Sequence, residues 1–120
     1  MVSMKIILES RDELRVIELA EVLYLRASRN YTDFFFSDGR TRSELLNLSA
    51  VEVKIKECAR REGVENPFIR LGRSLLVNKN YVETVSMKLQ HIGFRTTPPT
   101  YLKATKNTLV FLKQALSFDF

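Results

Sequence analysis

Cysteine, glycine and histidine are scarce in this chain, and tryptophan is absent. The 120 residues include one Cys, four Gly, three Pro and one His. A lone thiol, Cys58, cannot form an intrachain disulfide, and no grouping of Cys and His has metal-site spacing, so the fold must be held by its core. That usage fits a reducing cytosol. Four dispersed glycines provide no phosphate cradle: P-loop, G-x-G-x-x-G and G-x-S-x-G are all missing. His91 has no acidic partner at a recognisable spacing, and beside Ile92 it reads as an exposed hairpin residue rather than a base. Neither enzymatic activity, a cofactor nor a small-molecule substrate is expected. Long apolar runs are lacking too. The start, MVSMKIILES, holds three consecutive apolar residues before charge and no cleavage pattern, and nothing approaches the ~18 apolar residues of a spanning helix. No membrane partner is expected, and the expected location is cytoplasmic.

What is present suffices for one self-folding domain over residues 1–120. Hydrophobic residues make up 45% and charged residues 28%, too apolar for disorder and long enough to bury a core. The charge is uneven. Residues 1–67 carry eleven Lys/Arg and twelve Asp/Glu, a net of −1, whereas residues 68–120 carry eight Lys/Arg against Glu83 and Asp119, a net of +6. A one-sided positive field attracts polyanions, which makes nucleic acid a candidate partner; a basic surface kept for solubility is the alternative.

Short apolar runs at Lys5–Glu9, Leu14–Glu18 and Val22–Ala27 read as strands, separated by polar breaks such as SRDE. YTDFFFS (31–37) continues in the same style, with Phe34 and Phe36 on one face and Phe35 on the other. Asp38-Gly39 is a hairpin signal, because glycine accepts positive φ without a Cβ clash, and residues 40–44 are its return strand. Ser49-Ala50-Val51-Glu52 matches a capping box, and Val51, Ile55, Cys58 and Ala59 then form one helical face that Gly63 terminates. Cys58 on that stripe reads as a packed thiol. Strands are expected again at 81–86, 87–92 and 100–104, with GFRTTPP as a turn. A second helix is expected over 106–116, with Leu109, Leu112 and Leu116 on one face. The fold class is therefore mainly β, with one or two short helices.

The segment FIRLGRSLLVNKNYV (68–82) interrupts its apolar residues with Arg70, Arg73, Asn78 and Lys79. Strand alternation places Ile69 and Leu71 on one face and Phe68 and Arg70 on the other. Gly72 breaks the strand into a turn that lets Arg73 and Ser74 project outward. Arg73 can fork onto phosphate or onto guanine O6 and N7, and Ser74 can donate to a phosphate oxygen; the alternative for Arg73 is an ion pair with a carboxylate of the chain. Arg70 either braces this turn or touches backbone phosphate. Asn78 taken by itself reads better as part of an Asn-Lys-Asn turn than as a contact.

This segment resembles the F-x-R-x-x-R-S-x-x-V-N-x-x-x-[IV] signature of the LytTR family of bacterial DNA-binding domains. VLYLRASRNYTDFFFSDGR (22–40) is similar to that family's strand, Asn-Tyr-Thr turn, second strand and Asp-Gly hairpin, and the resemblance runs from 22 to 116. It implies an elongated fold of small antiparallel sheets. It also implies a transcriptional regulator whose loops, rather than a recognition helix, enter successive major grooves of double-stranded DNA. Carried over by position, the contacting residues are Arg29, Asn30 and Tyr31 in a first loop and Arg73 and Ser74 in a second, with Arg70, Asn78 and Lys79 beside them; Lys106 and Asn107 form a third. Two copies on repeated half-sites are expected, since one small module buries limited surface. The sequence departs from its relatives at Gly72, where His is common, and at Thr105-Lys106-Asn107, where Ser-Arg-Arg is usual. Residues 1–20 are too few for the receiver domain many members carry, so control by phosphorylation is not expected. A protein-interaction module with an incidental basic surface, or an RNA-binding domain lacking an aromatic RNP-like strand, are the other readings.

Overall fold

Alternating apolar residues make strand the commonest regular structure of this chain, and the strands sort into layers because both faces of the central ones are apolar. The computed structural model describes residues 4–119. Among them, β1 (Lys5–Glu9) and β2 (Leu14–Glu18) form a two-stranded sheet. A five-stranded sheet is built from β3 (Val22–Ser28), β4 (Tyr31–Phe36), β5 (Thr41–Glu44), β6 (Phe68–Leu71) and β7 (Leu75–Asn78), in the order β5-β4-β3-β7-β6. A three-stranded sheet holds β8 (Val82–Ser86), β9 (His91–Phe94) and β10 (Thr100–Lys103). Every pairing is antiparallel. The two helices are α1 (Leu48–Glu62) and α2 (Lys106–Asp119). The molecule measures 45 × 31 × 28 Å, the elongated shape expected.

The five-stranded sheet separates two cores. On one face Val22, Leu25, Phe34, Phe36, Phe68 and Leu76 pack with Val51, Ile55 and Cys58 of α1 and with Ile6, Leu8 and Ile17 of the small sheet. On the other, Leu23, Tyr24, Leu71 and Val77 meet Ile92, Phe94 and Leu102 of the three-stranded sheet and Leu109 and Leu112 of α2. Phe34 and Phe36 thus share a face while Phe35 crosses to the other, where its ring stacks on Tyr24 at 4.3 Å. Tyr24 is buried in that stack, and desolvation pushes its phenol above the ordinary tyrosine range. A register shift between Val22 and Tyr24 lets consecutive Leu23 and Tyr24 face the same core. Asp38 anchors the β4–β5 hairpin: its carboxylate accepts from the Arg40 backbone and side chain, which hold it below the usual carboxylate range.

Two local expectations are corrected. Helix α1 begins two residues earlier than the capping box predicts, because Asn47 rather than Ser49 is the cap, its Oδ1 accepting from Ala50 N at 2.8 Å. Glu52 is thereby released from capping. The strand expected at 87–92 is instead a turn through Met87–Gln90 followed by β9; Gln90 has φ 52° and Ser86 Oγ accepts from Leu89 N. Gly93 consequently lies inside β9, where a Cβ would meet the Tyr101 ring and Thr84 at 3.4 Å.

Candidate nucleic-acid interface

The β3–β4 and β6–β7 turns come together because their strands are neighbours. β3 pairs with β7 in antiparallel register, Arg26 opposite Leu75, so the end of β3 and the start of β7 lie at one end of the sheet. Beyond that last pair, Ala27 N donates to Ser74 O at 2.8 Å and ties the two turns directly. The first turn contains Arg29 and Asn30, with Ser28 paired to Tyr31 across it. All three of Arg29, Asn30 and Tyr31 are exposed. Arg29 has φ 59°, in the left-handed region that disfavours a side chain, so its backbone is strained where it projects.

The second turn is Gly72-Arg73-Ser74, all three residues exposed, with Gly72 at φ 70°. Open space surrounds Gly72, so its glycine is needed for the backbone conformation rather than for room. Arg73 and Ser74 make no side-chain hydrogen bond or ion pair with other described residues. Their partners are left to solvent or a ligand. Arg70 is different. Its Nε donates to Gly72 O at 2.8 Å, Nη2 to Arg73 O at 2.8 Å, and Nη1 to Glu52 Oε1 at 2.8 Å. Of its two expected roles, the geometry gives it the bracing one. Arg26, exposed on β3 beside the turns, lies 5.1 Å over the Phe35 ring and adds positive charge there.

Asn78 and Lys79, expected among the DNA contacts, are internal instead. Asn78 is 1% exposed; its Nδ2 donates to Val22 O at 2.9 Å and its Oδ1 accepts from Asn80 N at 3.0 Å. The carbonyl it satisfies belongs to the residue at the β3–β4 register shift. Lys79 is 9% exposed and forms an ion pair with Glu65. Burial leaves neither head group facing an external ligand.

Lys106 and Asn107 belong to neither turn and to no sheet; they are the first two residues of α2. They open α2 just after β10, where Ala104 N bonds to Gln90 O. Thr105 caps the helix, its Oγ1 accepting from Thr108 N at 3.3 Å, and both Lys106 and Asn107 are exposed. First-turn N–H groups and an ammonium form a combination that accommodates phosphate. Sequence reasoning missed one member of this arrangement, Glu52, because the Ser49-to-Glu52 spacing assigns its carboxylate to a capping box.

The model of the LytTr DNA-binding domain matches residues 12–117, and the chain belongs to that family. It is therefore a domain of a DNA-binding class. Among solved structures it is similar to the LytTr DNA-binding domain of a Bacillus cereus protein, at 17% identity and a TM-score of 0.63, covering 93% of this chain and 95% of that one. At that identity the likeness concerns the fold. No curated protein matches. Among the described residues no helix is long and apolar enough to cross a membrane.

Proposed function

We propose that this chain is a sequence-specific transcriptional regulator that reads double-stranded DNA through its turns, working in the bacterial cytoplasm. The observation that carries the reading is the paired placement of Arg29-Asn30 and Arg73-Ser74. Four exposed polar side chains stand on two turns joined by the Ala27–Ser74 bond, and Arg70 fixes the second turn from behind. Rigid turns of this kind can present a guanidinium fork to guanine at low entropic cost. Lys106 and Asn107 supply a third contact, mainly to phosphate, with Asn107 suited to adenine N6 and N7. The three loops enter successive major grooves, and two copies occupy repeated half-sites to reach useful affinity.

The test is selection of bound duplexes from a random pool, followed by titration of the best duplex at rising salt. Enrichment of a defined sequence is expected, with log affinity falling against log salt by roughly −0.9 per phosphate neutralised. Binding indifferent to salt, or a pool that never converges, overturns the proposal. Ile7, Leu14 and Val16 are more than half exposed on the small sheet and favour a protein contact as the competing reading. Retention of a protein partner without any DNA preference would support it.

A further inference from the structure

Glu52 belongs to none of the loops, yet its carboxylate is part of the same bonded unit as the Arg73 turn. We propose that Glu52 is a positioning residue for DNA recognition, acting through Arg70 on Gly72-Arg73-Ser74. This rests on the reading of that turn as a DNA contact.

Three hydrogen bonds, each 2.8 Å, radiate from one planar guanidinium: two to successive carbonyls of the turn and one to Glu52. The carbonyls of residues 72 and 73 belong to the peptide planes on either side of the Arg73 Cα, so fixing both fixes the direction in which the Arg73 side chain leaves the backbone. Two bonds within one hairpin hold the guanidinium only relative to the hairpin. The third holds it to α1, whose Val51 and Ile55 flank Glu52 and are wholly buried against the sheet. The turn is thereby referenced to the core rather than to its own strands.

The carboxylate has a second cation beside it. Oε1 takes Arg70 and Oε2 lies 3.9 Å from Lys56 Nζ, one helical turn along. The Glu52 and Arg70 side chains are 19% and 26% exposed, so the pair is partly shielded, and its bond is charge-assisted. Strand alternation accounts for the meeting: Arg70 shares the face of Phe68, the face on which α1 packs.

Without Glu52 the guanidinium is free to turn toward phosphate and the hairpin loses its reference to α1. Base choice then suffers more than general affinity. The experiment compares Glu52→Ala with Glu52→Gln in the full chain. Affinity is measured for the best selected duplex and for a random duplex of equal length, with melting as control. Both variants remove one negative charge, so both should bind random duplex slightly better; only Gln keeps an acceptor for Arg70 Nη1. The expected result is a specific-to-random affinity ratio about tenfold lower in Glu52→Ala, and kept within about threefold in Glu52→Gln. In an Arg73→Ala background, Glu52→Ala should lower the ratio no further.

Equal ratios for the Ala and Gln variants overturn the proposal, because charge alone would then explain the effect. A lowered melting temperature with an unchanged ratio overturns it too, as does a loss that persists without Arg73. Should Glu52→Ala not fold, Arg70→Lys carries the same test, since an ammonium cannot hold three acceptors in one plane; a wild-type ratio in that variant is contrary to the proposal. A wild-type ratio that depends on Arg73 but not on Glu52 sinks the positioning role alone. Indifference of the ratio to Arg73 itself sinks the reading of the turn beneath it.

Discussion

The guanidinium of Arg70 donates to the backbone carbonyl of Arg73 at 2.8 Å, so one arginine of the pair holds the other in place. Arg70 is half-buried and its remaining bonds go to Gly72 and Glu52, whereas Arg73 is exposed and its side chain bonds to no other described residue. Two residues that look alike in FIRLGRS thus divide the work. One fixes a turn and the other projects from it.

Asn78→Ala is expected to destabilise the fold without altering DNA preference. The substitution leaves Val22 O buried without its donor and removes the Asn80 N acceptor, at a cost of about 1–3 kcal/mol. Chemical denaturation should show that loss. The specific-to-random affinity ratio of the folded fraction should remain at the wild-type value, and a fall in that ratio would return Asn78 to the DNA surface.

Arg29→Gly separates strain from recognition. Removing the Cβ at φ 59° relieves a steric penalty, while glycine gives the unfolded chain more freedom; the two offset to within about 1 kcal/mol. Thermal melting should therefore move little. DNA affinity should fall, because the exposed guanidinium is gone, and an unchanged affinity would remove the first turn from the interface.

Lys106→Ala should weaken binding to all duplexes similarly and flatten the salt dependence by about one contact. The helix should persist, since Thr105 caps it through its own hydroxyl and alanine is a good helix former. A loss confined to one sequence would instead mean that Lys106 reads a base.

Much of the architecture was legible from residues 5 to 44, where alternation and turn chemistry agree: β1, β2, β4 and the Asp38-Gly39 hairpin fall at or within one residue of their expected bounds. Alternation also placed Arg70 with Phe68, the face that meets α1. The helix cap is not legible because Asn47 and Ser49 are both competent caps and the Ser49–Glu52 spacing favours the wrong one; Glu52 is taken instead by Arg70, a tertiary bond that local sequence does not contain. Asn78 and Lys79 were misread for a similar reason. A polar pair in a turn-like stretch looks solvent-facing until the carbonyl of Val22 and the carboxylate of Glu65 are brought to it. Gln90 gave no warning either, since positive φ at a residue other than glycine leaves little trace in sequence.

If the Arg73 turn reads bases, Arg73→Ala must lower discrimination between sequences. The measurement is the affinity ratio between the best selected duplex and random duplex, for wild type, Arg73→Ala and Arg73→Lys, with melting recorded alongside. A guanine-reading fork is worth about 1–3 kcal/mol of discrimination. Melting should be unchanged, the ratio should fall by that amount in Arg73→Ala, and Arg73→Lys should recover part of it, since it keeps the charge but loses the planar fork. An equal loss of affinity for both duplexes would contradict base reading and make Arg73 a phosphate clamp.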